Sequence, residues 1–307
     1  MQLTQTVKPF VKWAGGKRQL LSIFERFYPV QLREGRIRKY IEPFVGSGAV
    51  LLHILQNYNI EDAYVFDINT DLINAYIVVR DKVENLVDKL SRLEDDFLKM
   101  DEERRKEFYY GVRDMYNQRH CTSESNVERA TQFIFLNRTC YNGLYRVNHA
   151  GLFNVPFGNY KNPTICDAKN LRTVSKLLQK VHIFAGDYSE SANYIDKDTF
   201  VYFDPPYRPL SATSSFTSYS KHDFTDEEQI KLARFFEQMN DRGAFLMLSN
   251  SDPKNVTPND DFFDNLYGKF HIHRIRARRA INSKADGRGE ISEILVTNYI
   301  EEVKKDE

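Results

Sequence analysis

The stretch VYFDPPYRPLSATSSFTSYS, residues 201–220, sets an acid, two prolines and an aromatic ring in succession. Three β-forming residues lead in, and prolines end a strand because they give no N–H to its ladder. Asp204 and Tyr207 are therefore expected just past the carboxyl end of a strand, in a loop with a stiff backbone. Such a rim suits a weak amine. The exocyclic nitrogen of adenine is a poor nucleophile, because its lone pair is delocalised into the ring. A carboxylate accepting one N–H, with a proline carbonyl of Pro205 or Pro206 accepting the other, draws that nitrogen toward sp³ geometry. Tyr207 stacked on the ring would hold it in line. Asp204 would act by orientation and electrostatics rather than by full proton removal. The plain alternative is a surface turn, for which Asp-Pro-Pro is also good chemistry. A turn leaves the preceding VYF and the following Tyr207 unexplained. His222, just downstream, is read as structural, since activating an amine in this way needs no imidazole base.

A second group of residues suits a nucleoside. In IEPFVGSGAV, Gly46 and Gly48 allow a tight turn between strand and helix and a close approach of backbone to ligand. Asp67, at the end of the next strand, could accept hydrogen bonds from ribose hydroxyls. Equally, Asp67 could cap the helix that follows, beside Asn69 and Asp71. The third glycine of the dinucleotide pattern is missing, with Leu51 and Leu52 in its region, which favours a nucleoside without a pyrophosphate. PFVKWAGGKRQLL, residues 9–21, holds the only tryptophan, Trp13, between Lys12 and Lys17. Its ring could face a purine or a cation, or could be core.

Positioning these groups calls for a parallel sheet. RKYIEPFV, the glycine turn and AVLLHIL read as strand, turn, helix; AYVFDINTDLINAYIVV repeats the unit. Two such units in succession imply crossover helices. Composition shifts after about residue 78; residues 82–118 are charged and periodic, predicting two helices broken near Met100, and a third helix runs to Thr139. CYNGLYRVNHAGLFNVPFGNYKNP alternates aromatics with Asn, Gly and Arg, as a twisted hairpin and long loop would. The α/β pattern resumes at residue 165 with strands in KVHIFAGDY, TFVYFDPPY and AFLMLSNSD. A helix capped at Thr225 ends at Gly243, and HIHRIRARRAINSK and EISEILVTNY close the chain as two strands. The expected fold is α/β, a Rossmann-like sheet with an inserted, mostly helical region carrying a β-hairpin. Residues 1–75 and 164–307 would form the sheet domain and residues 76–163 the insertion.

The chain has 307 residues, 41% hydrophobic and 13% aromatic, enough for a sizeable core. Its formal net charge is zero, so any affinity for a polyanion must be local. The cysteines Cys121, Cys140 and Cys166 are odd in number and match no metal spacing, which suggests a reducing compartment. No His, Cys and Asp cluster has ligand spacing, so no metal is expected. No apolar run reaches membrane-span length, and the N-terminus lacks a signal-peptide core; a cytoplasmic location is expected.

KWAGGK, EPFVGSG, FDINTDLINAY, NRTCYNGLYRVNHAGLFNVPFGNYK and DPPYRPLSATSSFTSY together resemble the alpha-group DNA adenine-N6 methyltransferases. The likeness is nearest to the Dam-type enzymes, which methylate adenine in GATC, and it covers almost the whole chain in family order. It implies S-adenosylmethionine as cofactor and double-stranded DNA as partner. By resemblance, Trp13, Lys17, Asp67 and Asp204 line the cofactor site, with Glu42, Phe44, Gly46 and Gly48 beside its methionine part; Asp187 is assigned to the same site. Asp204, Pro205, Pro206 and Tyr207 match the catalytic loop. Leu144, Arg146, Pro156 and Tyr160 match base-reading positions of the hairpin, and Lys12 matches a lysine that also reads the site. Tyr141 and Asn142 match residues that enter the gap left by the extruded base. Arg138, Asn148, Asn154 and Lys161 match phosphate contacts. At Asn159 the chain departs from relatives that carry a basic residue, which puts one phosphate contact in question.

The residues themselves agree. Arginine bonded to guanine O6 and N7 is the commonest specific base contact, and Arg146 lies in the segment shaped to enter a groove. Its plain alternative is a surface ion pair. HIHRIRARRAINSK carries four arginines, one lysine and no acid. Arginines 274, 276 and 278 alternate onto one strand face, so Arg276 and Arg278 are expected along a DNA backbone. The alternative is an edge strand protected by charge. The expected activity is methyl transfer to adenine N6 in duplex DNA by base flipping. Two rivals stand beside it: the same fold acting on cytosine N4 or RNA, and an inactive DNA-binding module. A monomer is expected, and a cognate restriction endonuclease is left open as a partner.

Overall fold

The computed structural model describes residues 6–13, 15–118, 126–208, 224–278 and 290–300. Cys121, His222 and the side chain of Arg278 lie outside the described residues. The strands are β1 (Lys39–Glu42), β2 (Asp62–Asp67), β3 (Val181–Ala185), β4 (Thr199–Phe203), β5 (Phe245–Ser251), β6 (His271–Arg278) and β7 (Glu290–Thr297). They form one seven-stranded sheet in the order β3-β2-β1-β4-β5-β7-β6. Strands β3, β2, β1, β4 and β5 are parallel to one another, and β7 runs antiparallel to β5 and β6.

Two short helices, α1 (Leu21–Phe24) and α2 (Val30–Arg33), precede β1. Helix α3 (Ala49–Asn57) follows β1 and α4 (Thr70–Asp81) follows β2. Then come α5 (Val83–Lys99), α6 (Glu102–Gln118), α7 (Val127–Thr139) and α8 (Ala168–Leu178), before β3. Helix α9 (Asp226–Asp241) leads to β5, and the short α10 (Phe262–Leu266) leads to β6.

The sheet is covered on both faces, as parallel sheets must be. All five residues of β4 are buried, and alternate ones serve opposite faces. Phe200 and Tyr202 join a core with α3, α4, α5, α7 and α8, whereas Val201 and Phe203 join one with α9 and α10. Caps set the helix starts. The Asn69 side chain accepts from the N–H groups of Asp71 and Leu72, Asn126 from that of Arg129, and Thr225 from that of Glu228. Gly243, with φ of 81°, turns the chain after α9.

The break expected near Met100 is present between α5 and α6. The boundary expected at residue 76 falls inside α4, whose Tyr76, Val78 and Val79 are buried in the sheet's own core. The added helices begin at Val83. They are bound to α4 by a buried ion pair, Arg129 to Asp71, at 2.7 Å from Nε and 2.8 Å from Nη2. Tyr116 donates its hydroxyl to the same carboxylate at 2.5 Å. One polar joint thus ties α4, α6 and α7 together. The hairpin after α7 is held by single bridges, Val147 to Phe153 and Cys140 to Phe157, rather than by a continuous ladder. Among the described residues no helix is long and apolar enough to cross a membrane.

Candidate active site

Strands β1 and β4 lie side by side, but their chain connections leave in opposite directions. A doubly wound sheet opens a crevice at such a switch point, at the carboxyl ends of its strands. Glu42 ends β1 and Asp204 directly follows β4, so both reach this crevice.

The catalytic candidates are packed around one ammonium. Lys17 is buried, and its Nζ lies 2.8 Å from Asp204 and 2.5 Å from the carbonyl of Gly15. The same Nζ sits 4.6 Å from the centre of the Tyr207 ring. Ser249 donates to Asp204 Oδ1 at 3.1 Å and is itself bonded to the Tyr202 hydroxyl at 2.8 Å. The Tyr207 hydroxyl donates to Glu293 Oε2 on β7 at 2.7 Å. Burial lifts the Asp204 carboxyl above its ordinary value, opposed by the Lys17 charge. Burial lifts Glu293 too. Glu42 is pushed well above the usual range by burial, against a hydrogen bond of 2.8 Å from the Tyr40 hydroxyl. Among the described residues, these three carboxyls share the Lys17 ammonium, in surroundings that disfavour their ionisation.

The loop itself is clamped from outside. Gln229 donates to the carbonyl of Pro206 at 3.0 Å and accepts from Asn250 at 3.2 Å. Arg208 reaches Asp226 at 2.8 Å and Asp260 at 2.7 Å, and lies 4.2 Å from the centre of the Phe262 ring. Ser249, Gln229, Asn250, Arg208 and Glu293 were not singled out from the sequence. Polar residues at the end of an otherwise apolar strand, SNS in AFLMLSNSD, were the signal available.

The glycine turn is shaped by protein as much as for any ligand. A Cβ on Gly48, at φ of 68°, would lie 2.4 Å from the Tyr76 hydroxyl. One on Gly46 would lie 3.0 Å from the indole of Trp13. Asp67 accepts from the N–H of Gly46 at 3.1 Å and of Asn69 at 2.9 Å. Asn69, not Asp67, caps α4, so the Asp67 carboxylate is left facing the turn. Burial lifts its pKa to about 6, against those two N–H donors. Phe44 stacks on Tyr188 at 5.3 Å. Asp187, at the end of β3, caps the turn that follows it through Ser189. Trp13 stacks on Tyr145 of the hairpin, with centres 5.5 Å apart and planes 20° apart. One face of the indole is thus given to protein rather than to a purine.

The hairpin gathers most of the DNA candidates. Lys12 Nζ lies 4.5 Å from the centre of the Tyr160 ring, and Asn137 holds the Lys12 backbone from both sides. A Cβ on Gly143 would strike Lys12 at 2.3 Å, so the lysine's course is fixed by that glycine. Arg146 is gripped by Asn154, Nε to Oδ1 at 2.7 Å. Tyr141 is 52% exposed, beside Asn142 in the left-handed region at φ of 55°. Leu144 is partly exposed; Pro156 and Lys161 are exposed. Besides Asn154, which holds Arg146, two more of the expected phosphate contacts are engaged within the protein. Arg138 turns inward to the carbonyl of Phe10 at 2.8 Å, and Asn148 closes the hairpin turn by accepting from Ala150 and Leu152. Asn159, at φ of 46°, bonds to Glu102.

The basic strand is only partly as expected. Arg274 pairs with Asp252 at 3.1 Å and Asp264 at 2.8 Å, so its charge is answered within the protein. These acids are distant in sequence, which is why the alternating arginines looked uncompensated. Arg276 is exposed, and its register partner Ser292 lies next to Glu293 on β7. It therefore sits toward the edge of the sheet that carries the crevice.

Sheet order, switch-point rim and inserted hairpin define a Rossmann-like α/β protein with a crevice at its strand ends. The model of the D12 class N6 adenine-specific DNA methyltransferases matches residues 13–281, and the chain belongs to that family. It is 55% identical over 294 residues to the type II methyltransferase M.MjaIII of Methanocaldococcus jannaschii, covering 95% of this chain and 99% of that one. It is 38% identical to M1.LlaDCHI of Lactococcus lactis, covering 95% and 96%. The DNA adenine methylase of Escherichia coli is 35% identical, at 94% of each chain. The enzyme is thus an N6 adenine-specific DNA methyltransferase, which sets aside cytosine, RNA and an inactive module.

Proposed function

We propose that this methyltransferase takes its methyl group from S-adenosylmethionine and modifies adenine in GATC within duplex DNA, after extruding the base. The observation that carries the reading is the meeting of two groups across the β1/β4 crevice. On one side are Asp204, Pro205, Pro206 and Tyr207; on the other are Glu42, Gly46 and Asp67.

The residues fit such a cofactor. Asp67 would accept from the ribose hydroxyls, and Trp13, Phe44, Gly46 and Gly48 would wall the site. Among the described residues, Lys17 is the ammonium whose charge acts on Glu42, Asp204 and Glu293, so a cationic ligand brings charge that the buried carboxyls lack. Lys17 and Asp187 belong to the same proposed site. When bound, S-adenosylmethionine supplies a methyl on a sulfonium, which departs as a neutral thioether.

The chain's own residues do the rest. Extrusion costs about a few kcal/mol, offset by stacking on Tyr207 and by hydrogen bonds in the pocket. Asp204 would accept one N6 hydrogen. Its carboxylate has about four lone-pair sites, so bonds from Lys17 and Ser249 leave room for another donor. Gln229 already donates to the carbonyl of Pro206, which favours that of Pro205 as the acceptor for the second N6 hydrogen, although a carbonyl has two lone pairs. The proposed recognition region lies within residues 76–163, with its added helices beginning at Val83: Lys12 from outside it, with Leu144, Arg146, Pro156 and Tyr160, would read bases. Tyr141 and Asn142 would fill the gap, and Asn148, Asn154, Lys161, Arg276 and Arg278 would follow the backbone. Arg138 would join them only by leaving the Phe10 carbonyl. The enzyme would act as a monomer inside the cell. Two relatives are named type II methyltransferases, which supports a cognate restriction endonuclease as partner.

The test is transfer of label from S-adenosylmethionine to duplexes containing GATC or GTAC, followed by digestion and identification of the labelled base. Label on adenine in GATC alone is expected; equal labelling of GTAC would reject the site. Asp204→Ala should lower transfer by about a thousandfold while leaving DNA binding intact.

A further inference from the structure

The fourth residue of the catalytic loop has a partner that no motif announces. Tyr207 and Glu293 are 86 positions apart, yet the phenol hydroxyl donates to Glu293 Oε2 at 2.7 Å. Glu293 stands in the interior of β7, opposite Ser251 on β5 and Ile275 on β6. Ladders on both sides pin its backbone, so its side chain starts from a fixed point. A half-buried carboxylate is costly unless it is bonded, and the bond this one makes is to the Tyr207 hydroxyl.

The backbone around Tyr207 is already secured, by the Gln229 bond to Pro206 before it and the Arg208 ion pairs after it. Two prolines stiffen the approach further. What those restraints leave free is rotation of the tyrosine side chain. Lys17 Nζ stands off the ring at 4.6 Å, and Glu293 ties down the hydroxyl at its tip. A phenylalanine would pack as well but could not be tied.

We infer that Glu293 is a positioning residue: by accepting the Tyr207 hydrogen it fixes the plane of the ring against which the extruded base is stacked. The inference rests on the proposed role of Tyr207. It assigns to β7, outside the catalytic motif, a part in aligning the target amine.

The experiment is a double-mutant cycle in the full chain, with Glu293→Ala, Tyr207→Phe, the pair together, and Glu293→Gln. Single-turnover rate and DNA affinity are measured on whichever duplex the wild-type chain methylates. Glu293→Ala and Tyr207→Phe should each slow single turnover by about tenfold, with DNA affinity unchanged within about a factor of two. The double variant should be no slower than the slower single one. Glu293→Gln keeps an oxygen that can accept the phenol hydrogen, and should retain most of the rate. Multiplying effects in the double variant, or a glutamine variant as slow as the alanine one, would overturn the inference. If Glu293→Ala does not fold, Tyr207→Phe alone removes the same bond, and a wild-type rate for it would refute the role. Absence of adenine methylation by the wild-type chain would instead count against the function proposed above.

Discussion

Asp67 shows how one side chain is made ready by its setting. Burial raises its pKa to about 6, although two backbone N–H groups favour its ionised form. As pH falls through that value the carboxylate gains a proton and loses acceptor capacity for a ribose. Affinity for S-adenosylmethionine should therefore weaken as pH drops below about 6, whereas Asp67→Asn should bind weakly at all pH values with little slope. Titration calorimetry between acid and neutral pH checks this. The sign for folding is opposite. A carboxyl whose folded value lies above its ordinary one contributes stability below that ordinary value, and this is lost as pH rises toward about 6. In the proposed role, holding Asp67 charged at neutral pH costs the enzyme some stability.

At the scale of elements, the hairpin is a short scaffold for one guanidinium. Arg146 and Asn154 face each other across it, and the amide oxygen grips Nε at 2.7 Å. A guanidinium so oriented presents its remaining N–H groups as a fork, as guanine O6 and N7 require. Asn154 was expected at a phosphate, and its bond to Arg146 gives it a second task. Arg146→Ala should lose about 1 to 3 kcal/mol of discrimination at one base pair. Asn154→Ala should lose part of the same discrimination without flattening the salt dependence. Relative rates on GATC duplexes and on duplexes with one substituted pair, at several salt concentrations, check both. Equal weakening on every sequence would mean that Asn154 serves the backbone alone.

The whole molecule depends on joining its helical insertion to a sheet that works at its rim. Trp13 packs between the glycine turn and Tyr145 of the hairpin, and Asp71 binds Arg129 and Tyr116 behind them. Removing one member of a buried pair strands the other's charge. Asp71→Ala should therefore cost about 3 to 5 kcal/mol of stability, read from denaturant unfolding. A cost well under about 1 kcal/mol would mean the joint is solvated in solution. The absence of net charge also matters at this scale: attraction to DNA must come from local cations rather than from the whole chain, and so should be strongly screened by salt.

The order of strands, turns and helices was legible from the chain because its causes are local. Apolar periodicity, two prolines after VYF, and glycines after β1 and α9 act on their immediate neighbours, and they placed Asp204, Tyr207, Gly46, Gly48 and Asp67 at strand ends. Pairings between elements were not legible. Glu293 under Tyr207, Asn154 on Arg146, Asp252 and Asp264 on Arg274, and Arg138 turned toward Phe10 all depend on which surfaces come together when two apolar faces of one sheet are buried. Local chemistry shows that a side chain is polar. Only the packed neighbours decide whether it faces a partner in the protein or is left for DNA.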